Sequence, residues 1–198
     1  MAVVVEHDKR KREILEKSME LFCRDGYEDV TFQKIANACG ITRTTLYIYF
    51  KNKNEIFNFS IKQASSDLEV KFMEVIKNPS YTSEQCLRRV LELAVDVCCA
   101  NKNLFNVLVP YLSGLKQTGV NVKEIVRRRT IRINHLYALI IIRGQKEGEF
   151  KKFGVKEITD IIFSLLEDAV FKIAILHNDD LQPVKASLNQ VVDMLVNR

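Results

Sequence analysis

Apolar residues return at intervals of three and four along almost the whole chain, and only three prolines and seven glycines interrupt them. That spacing is the period of an amphipathic helix, so the sequence predicts an all-α fold. No internal repeat or low-complexity tract breaks the pattern. Capping chemistry marks the helix ends. Ile14, Ser18, Leu21 and Phe22 share one face of a first helix that stops at Gly26. Thr31 caps a second helix running to Gly40, and Thr42 caps a short third. Asn52 with Glu55 opens a fourth, which carries Ile56, Ser60, Ala64, Leu68, Phe72 and Ile76 before Asn78-Pro79 ends it. Thr82 and Gln85 form a capping-box pair for a fifth helix reaching about Asn101. A short helix over 103–111, a long one over 121–146, and two more over 155–177 and 181–197 follow, about nine in total. Gly144, Gly148, Gly154 and Asn178-Asp179-Asp180 are read as the breaks between the last elements.

At 198 residues and 47% hydrophobic content the chain can bury a substantial core. The opening MAVVVEHDKRKR has too short an apolar run for a secretory leader, and the stretch from Leu136 to Ile142 is far below the roughly 20 residues of a membrane span. The expectation is a cytosolic protein with no membrane partner. Cys23, Cys39, Cys86, Cys98 and Cys99 form no CxxC pair and no zinc-ligand spacing with histidine, so reduced and mostly buried thiols are expected. The adjacent Cys98 and Cys99 leave a redox-sensing role open. No glycine-rich phosphate loop, HExxH, nucleophile elbow or paired carboxylates in an apolar frame is present, so the sequence names no catalytic residue, metal or cofactor.

The net charge of +5 says less than its distribution. From Thr31 to Asn54 the chain carries Lys34, Arg43, Lys51 and Lys53 and no acid, and KRKR at 9–12 adds a second basic cluster. Such a stripe is the footprint of a phosphate-binding surface, with a solvated face as the plain alternative. Within it, the alternation of T-L-Y-I-Y suits a β-strand on its own. Its neighbours favour a helix-turn-helix: Ala36 allows close approach, Gly40 makes the turn between Cys39 and Ile41, Leu46 and Tyr49 follow at the fitting offsets, and Ile35, Ile41 and Leu46 fill a small core. Arg43, Thr44 and Tyr47 then fall on the opposite face of the third helix, where arginine suits a guanine edge, threonine a thymine, and tyrosine a phosphate or base edge. Thr31, Thr42 and Thr45 lie near helix N-termini, which favour phosphate oxygens, and Lys53 would neutralise one more.

The run VTFQKIANACGITRTTLYIYFKNKNEIF resembles the DNA-binding signature of the TetR family of transcriptional regulators, with a match over roughly residues 9 to 57. The resemblance implies an N-terminal three-helix helix-turn-helix domain, residues 1–51, joined to a larger helical ligand-binding and dimerisation domain, residues 52–198. It implies a homodimer on a double-stranded DNA operator with two-fold symmetry. Carried over by position, Gln33, Arg43, Thr44 and Tyr47 face bases or sugars, and Thr31, Thr42, Thr45, Tyr49 and Lys53 hold phosphates. Arg43-Thr44 departs from the small residue many members have at the second position, so the operator sequence is not transferable.

The family places its effector cavity between the middle helices, which points to Phe72, Cys98, Cys99, Phe105, Leu108, Tyr111, His135 and Tyr137 for a small-molecule effector, with ordinary core packing as the alternative. Arg128, Arg132 and His135 share one helical face that either meets an anionic ligand or is solvated and bridged to acids. The last two helices are apolar over more than one stripe, and Ile162, Leu165, Leu166, Ala169, Ile173, Leu188, Val191, Val192 and Leu195 are expected to cover a partner subunit in a four-helix bundle; burial within one chain is the alternative. An architectural DNA-bending protein without a ligand would share the charge but not need the roughly 140 further residues.

Overall fold

The structure is a computed structural model that describes residues 2–197, with side chains from Glu6 onward. The helices are α1 (Ala2–Asp25), α2 (Phe32–Ala38), α3 (Arg43–Tyr49), α4 (Lys53–Lys77), α5 (Ser83–Ala100), α6 (Lys102–Gln117), α7 (Val122–Glu147), α8 (Val155–Ala174) and α9 (Gln182–Leu195). Among the described residues the sole extended pairing is an isolated antiparallel bridge between Phe150 and Val196. The chain groups into two compact units, one running through residue 63 and taking in 103–120, the other made of 64–102 and the residues from 121 onward.

In the first unit α1 turns Ile14, Ser18, Leu21 and Phe22 into the core, as their spacing predicts. Ser18 is fully buried because its hydroxyl donates to the Ile14 carbonyl at 2.6 Å. Thr31 and Thr42 cap α2 and α3 by accepting from the amides of Lys34 and Thr45. Between them Gly40 adopts φ +65°, and the amides of Gly40 and Ile41 close onto the carbonyls of Asn37 and Ala36, each at 3.0 Å. That pair of bonds is a Schellman ending, and it needs a residue free to take the left-handed conformation. Ile35, Ala36 and Leu46 are fully buried at the junction, so the TLYIY stretch is a helix held by its neighbours.

The sixth helix is longer than the 103–111 expected from sequence: it runs through Pro110 to Gln117. A proline inside a helix forfeits one N–H bond, and α6 accepts that loss rather than ending. Its buried residues Leu104, Val107 and Tyr111 give the helix a continuous apolar side. The Tyr111 ring lies 4.9 Å from Tyr27 and 4.7 Å from Phe57, and its hydroxyl donates to Asn54 Oδ1 at 2.5 Å.

In the second unit α5 packs against α7, α8 and α9. The capping box read from Thr82 and Gln85 is complete. Gly144 is not a break, as its residue type suggested, but an interior residue of α7. A Cβ built there would stand 2.2 Å from the buried Phe150 ring, so the glycine exists to let that ring close on the helix.

The carboxylate of Glu149 accepts from the first two amides of α5, Ser83 and Glu84, both at 3.0 Å. Partial burial pushes the Glu149 carboxyl up, but those two amide bonds, with further help from Thr82 and Glu147, outweigh it and hold the group below its ordinary value of 4.5. A carboxyl depressed by folding stabilises above its unfolded pKa and loses that contribution as pH falls through the folded value. Glu149→Gln is therefore expected to lower stability by about 1 to 2 kcal/mol at pH 7. In urea melts the gap between variant and wild type should close as the pH drops below about 4; a gap independent of pH would refute the assignment.

Candidate nucleic-acid interface and effector core

The exposed side of α2 and α3 collects most of the residues expected to touch DNA. Thr31, Gln33, Thr42, Arg43, Thr44 and Tyr47 are exposed, and Thr45 and Tyr49 are half-buried. Their side chains are ordered by one another. Arg43 Nη2 donates to the Tyr47 hydroxyl at 3.0 Å, with its guanidinium carbon 5.6 Å from the Tyr47 ring centre. The Tyr47 ring in turn lies 4.8 Å from Phe32, a contact that no motif announced. Gln33 donates to Asn37 Oδ1 at 2.8 Å, and the hydroxyls of Thr42 and Thr45 are 2.8 Å apart. Pre-paired donors of this kind hold an arginine fork and a phenol in fixed positions before a ligand arrives.

Lys53 is placed differently from the expectation. Its ammonium donates to the carbonyls of Tyr27 at 2.7 Å and Glu28 at 2.9 Å, and sits 4.6 Å from the Tyr27 ring centre. With two of three protons committed, it ties the turn after α1 to the start of α4. On α1, His7 stacks on Tyr49 at 4.7 Å, and Lys11 lies over the Phe59 ring at 4.0 Å. The sequence marked Lys11 only as part of the basic run at 9–12 and did not mark His7, because no periodicity reveals a contact with a ring forty and more positions away.

The residues expected around an effector divide between the units. Phe105, Leu108 and Tyr111 belong to the first, where Phe105 and Leu108 are half-buried. In the second, Phe72 and Tyr137 are fully buried with ring centres 5.4 Å apart, and Cys98 is buried. Within the described residues the Tyr137 hydroxyl and Asn134 Oδ1 are buried without a hydrogen-bond partner. Burial pushes the Tyr137 phenol well above its ordinary range and the Cys98 thiol up to about 12. A thiol that weak an acid holds almost no thiolate at neutral pH, so Cys98 itself is a poor nucleophile.

Cys99, Arg128, Arg132 and His135 are exposed and line no interior. Arg128 pairs with Glu124 at 2.7 Å, and Arg132 with Glu69 on α4 at 3.5 Å, so the solvated and bridged alternative holds. Arg127 and Arg128, in that order of effect, hold the Glu124 carboxyl down at about 2. A surface cleft of about 420 Å³ lies elsewhere, lined by Tyr81, Gln85, Arg88, Arg89, Leu91, Glu92, Lys185, Leu188 and Asn189.

The surface expected for a partner subunit also needs correction. Ile162, Ala169, Ile173, Leu188, Val191, Val192 and Leu195 are buried within this chain, and Leu165 and Leu166 are half-buried. The apolar side chains that α8 and α9 leave in solvent are Ile161, Phe171 and Met194, joined by Ile175 and Leu176 just past α8. Packing of α8 and α9 on each other and on α5 consumes the stripe that sequence assigned to the partner.

The sequence model of the family described as bacterial regulatory proteins, tetR family, matches residues 14–58. Over nearly its whole length the chain is 25% identical to the fatty acid metabolism regulator protein of Bacillus subtilis, covering 96% of this chain and 97% of that one. The crystal structure of FadR from Bacillus subtilis in complex with stearoyl-CoA superposes with a TM-score of 0.73 at 23% identity, covering 94% of this chain and 97% of that one. A TetR transcription regulator from Haloarcula marismortui superposes with a TM-score of 0.82 at 16% identity, covering 96% and 100%. No helix of the described residues is long and apolar enough to cross a membrane. Residues 14–58 thus carry the signature of the tetR family of bacterial regulatory proteins, and the helical fold around them is the one found in TetR-family transcriptional regulators.

Proposed function

We propose that this regulator is a ligand-responsive repressor that binds a palindromic operator as a homodimer and leaves it when an acyl-coenzyme A binds. DNA contact is assigned to residues 1–51, and effector binding and dimerisation to residues 52–198. The observation that carries the reading is the outward side of α3, where Arg43, Thr44 and Tyr47 are exposed within a stretch free of acidic residues. Gln33, Thr31, Thr42, Thr45 and Tyr49 complete the DNA-facing set. Lys53 fixes the α1–α4 junction, with the Glu28 carboxylate 3.9 Å from its ammonium, and is assigned a phosphate contact beside that role.

Two features support the effector class. The B. subtilis relative that aligns end to end is a fatty acid metabolism regulator, and the FadR structure holds stearoyl-CoA. In this chain Phe72, Cys98 and Tyr137 are buried apolar residues, and the Tyr137 hydroxyl lacks a partner, as does Asn134 Oδ1 one helical turn earlier on α7. Unpaired buried polar groups cost roughly 1 to 3 kcal/mol each, and a thioester or amide group of a bound ligand would relieve them. Helix α4 is continuous from Lys53 to Lys77 and includes Phe72, which makes it the element through which effector binding would bias the DNA-facing residues. A coupling of about 1 to 3 kcal/mol would weaken operator binding roughly 5 to 150 fold. A second subunit is assigned to the face left open by Ile161, Phe171 and Ile175.

The test has two arms. Selection from random duplex DNA should enrich a sequence with two-fold symmetry. Stearoyl-CoA at about 100 times its Kd should then raise the melting temperature by several degrees and release that duplex, while coenzyme A alone does neither. An enriched duplex that stearoyl-CoA leaves bound, with no melting shift, would discard the effector and keep the regulator.

A further inference from the structure

Ile48 is 70% exposed, the most exposed large apolar side chain among the described residues, and it stands on α3. Leu46, two positions earlier, is fully buried. At about 100° of helix rotation per residue, Thr44 and Ile48 each lie about 160° from Leu46, one on either side of it, so the pair straddles the direction pointing straight out. They are also i and i+4 neighbours, which puts the Thr44 methyl beside the Ile48 side chain. Arg43 and Tyr47 are bound to each other at one flank of this line. The centre of the outward face is therefore a branched apolar ridge, and the polar donors sit beside it.

We infer that the Thr44-Ile48 ridge reads thymine C5-methyl groups, making Ile48 a specificity-determining residue of the operator contact. The inference rests on the DNA-binding reading above and adds to it which base feature is read, and by what. In the major groove the base edges are donors and acceptors apart from the thymine methyl, the single apolar knob that a duplex offers there. An isoleucine in the middle of an acid-free, cation-flanked face finds no other apolar partner on DNA. Against any polar edge it would bury donors or acceptors without pairing them. Each half-site must then hold a thymine opposite the ridge, beside the base read by Arg43.

The experiment uses the tightest duplex from random-sequence selection, resynthesised with deoxyuridine replacing each thymidine in turn, which deletes one methyl and leaves pairing intact. Burial of one methyl is worth a factor of about four in affinity. One symmetric thymidine position should show a loss of about fourfold for each half-site changed. Ile48→Ala should bind the thymidine duplex as weakly as wild type binds the uridine duplex, and should no longer distinguish the two. Ile48→Val should retain most of the difference, and both variants should melt like wild type because the side chain is exposed. Equal wild-type affinity for every uridine duplex, a selected site without a fixed thymidine, or full discrimination in Ile48→Ala would each overturn the inference. Failure to enrich any duplex would overturn the DNA-binding reading beneath it, so the two failures are distinct.

Discussion

Leu46→Ala is expected to lower stability by about 2 to 5 kcal/mol and to abolish selective duplex binding. Leu46 is the fully buried residue of α3, a helix of seven residues, and its carbonyl accepts from the Phe50 amide that ends the helix. A helix so short has no stability of its own in water and exists through the face it buries. Removing that side chain leaves a cavity among Ile35, Ala36 and the α2–α3 turn, and it frees the segment that aims Arg43, Thr44, Tyr47 and Ile48. Urea melts give the stability change, and anisotropy titrations of the selected duplex give the binding loss. A variant within about 0.5 kcal/mol of wild type that still selects its duplex would show that α3 is not seated by Leu46.

The second large effect is in the other unit. Phe150→Ala is expected to cost about 3 to 5 kcal/mol, because the ring is almost fully buried and closes against the α7 backbone at Gly144. Gly144→Ala alone should cost about 1 to 3 kcal/mol, since its methyl would start 2.2 Å from the Phe150 ring and force the ring or the helix to shift. Together the substitutions should cost less than their sum by at least about 0.5 kcal/mol, because alanine at 150 vacates the space the new methyl needs. Strict additivity would mean that the glycine serves something other than this ring.

The helix punctuation was written in residues whose chemistry is local. Thr31, Thr42 and the Thr82-Gln85 box each satisfy amides within three positions, and Gly40 supplies a backbone angle, so short windows sufficed to find them. What the helices pack against was not local. Periodicity showed that Ile162, Ala169, Val192 and Leu195 would be buried, but not that their cover is the same chain, since a stripe toward α5 and a stripe toward a partner have the same period. Gly144 misled because a glycine that ends a helix and one that admits a ring look alike until Phe150 is in place. The charge of Lys53 was visible in sequence, but its bonds to the Tyr27 and Glu28 carbonyls were not, because those lie twenty-five and more positions away. Ile48 was passed over for the opposite reason: an apolar residue in a helix is counted toward the core, and here it stands in solvent. Of the proposed effector core, burial of Phe72, Cys98 and Tyr137 was legible, whereas the unpaired hydroxyl of Tyr137 emerges only from how the helices pack.

Engagement of duplex DNA by the outward side of α3 is measured directly by a salt-dependent anisotropy titration with wild type and Arg43→Ala. The log of the wild-type affinity for the selected duplex should fall linearly with the log of salt concentration, as phosphate contacts release counterions. Arg43→Ala should lose about 1 to 3 kcal/mol on that duplex and far less on unrelated DNA, because a base contact rather than a phosphate contact is removed. No binding by wild type at 50 mM salt, or an equal loss for Arg43→Ala on every duplex, would contradict it.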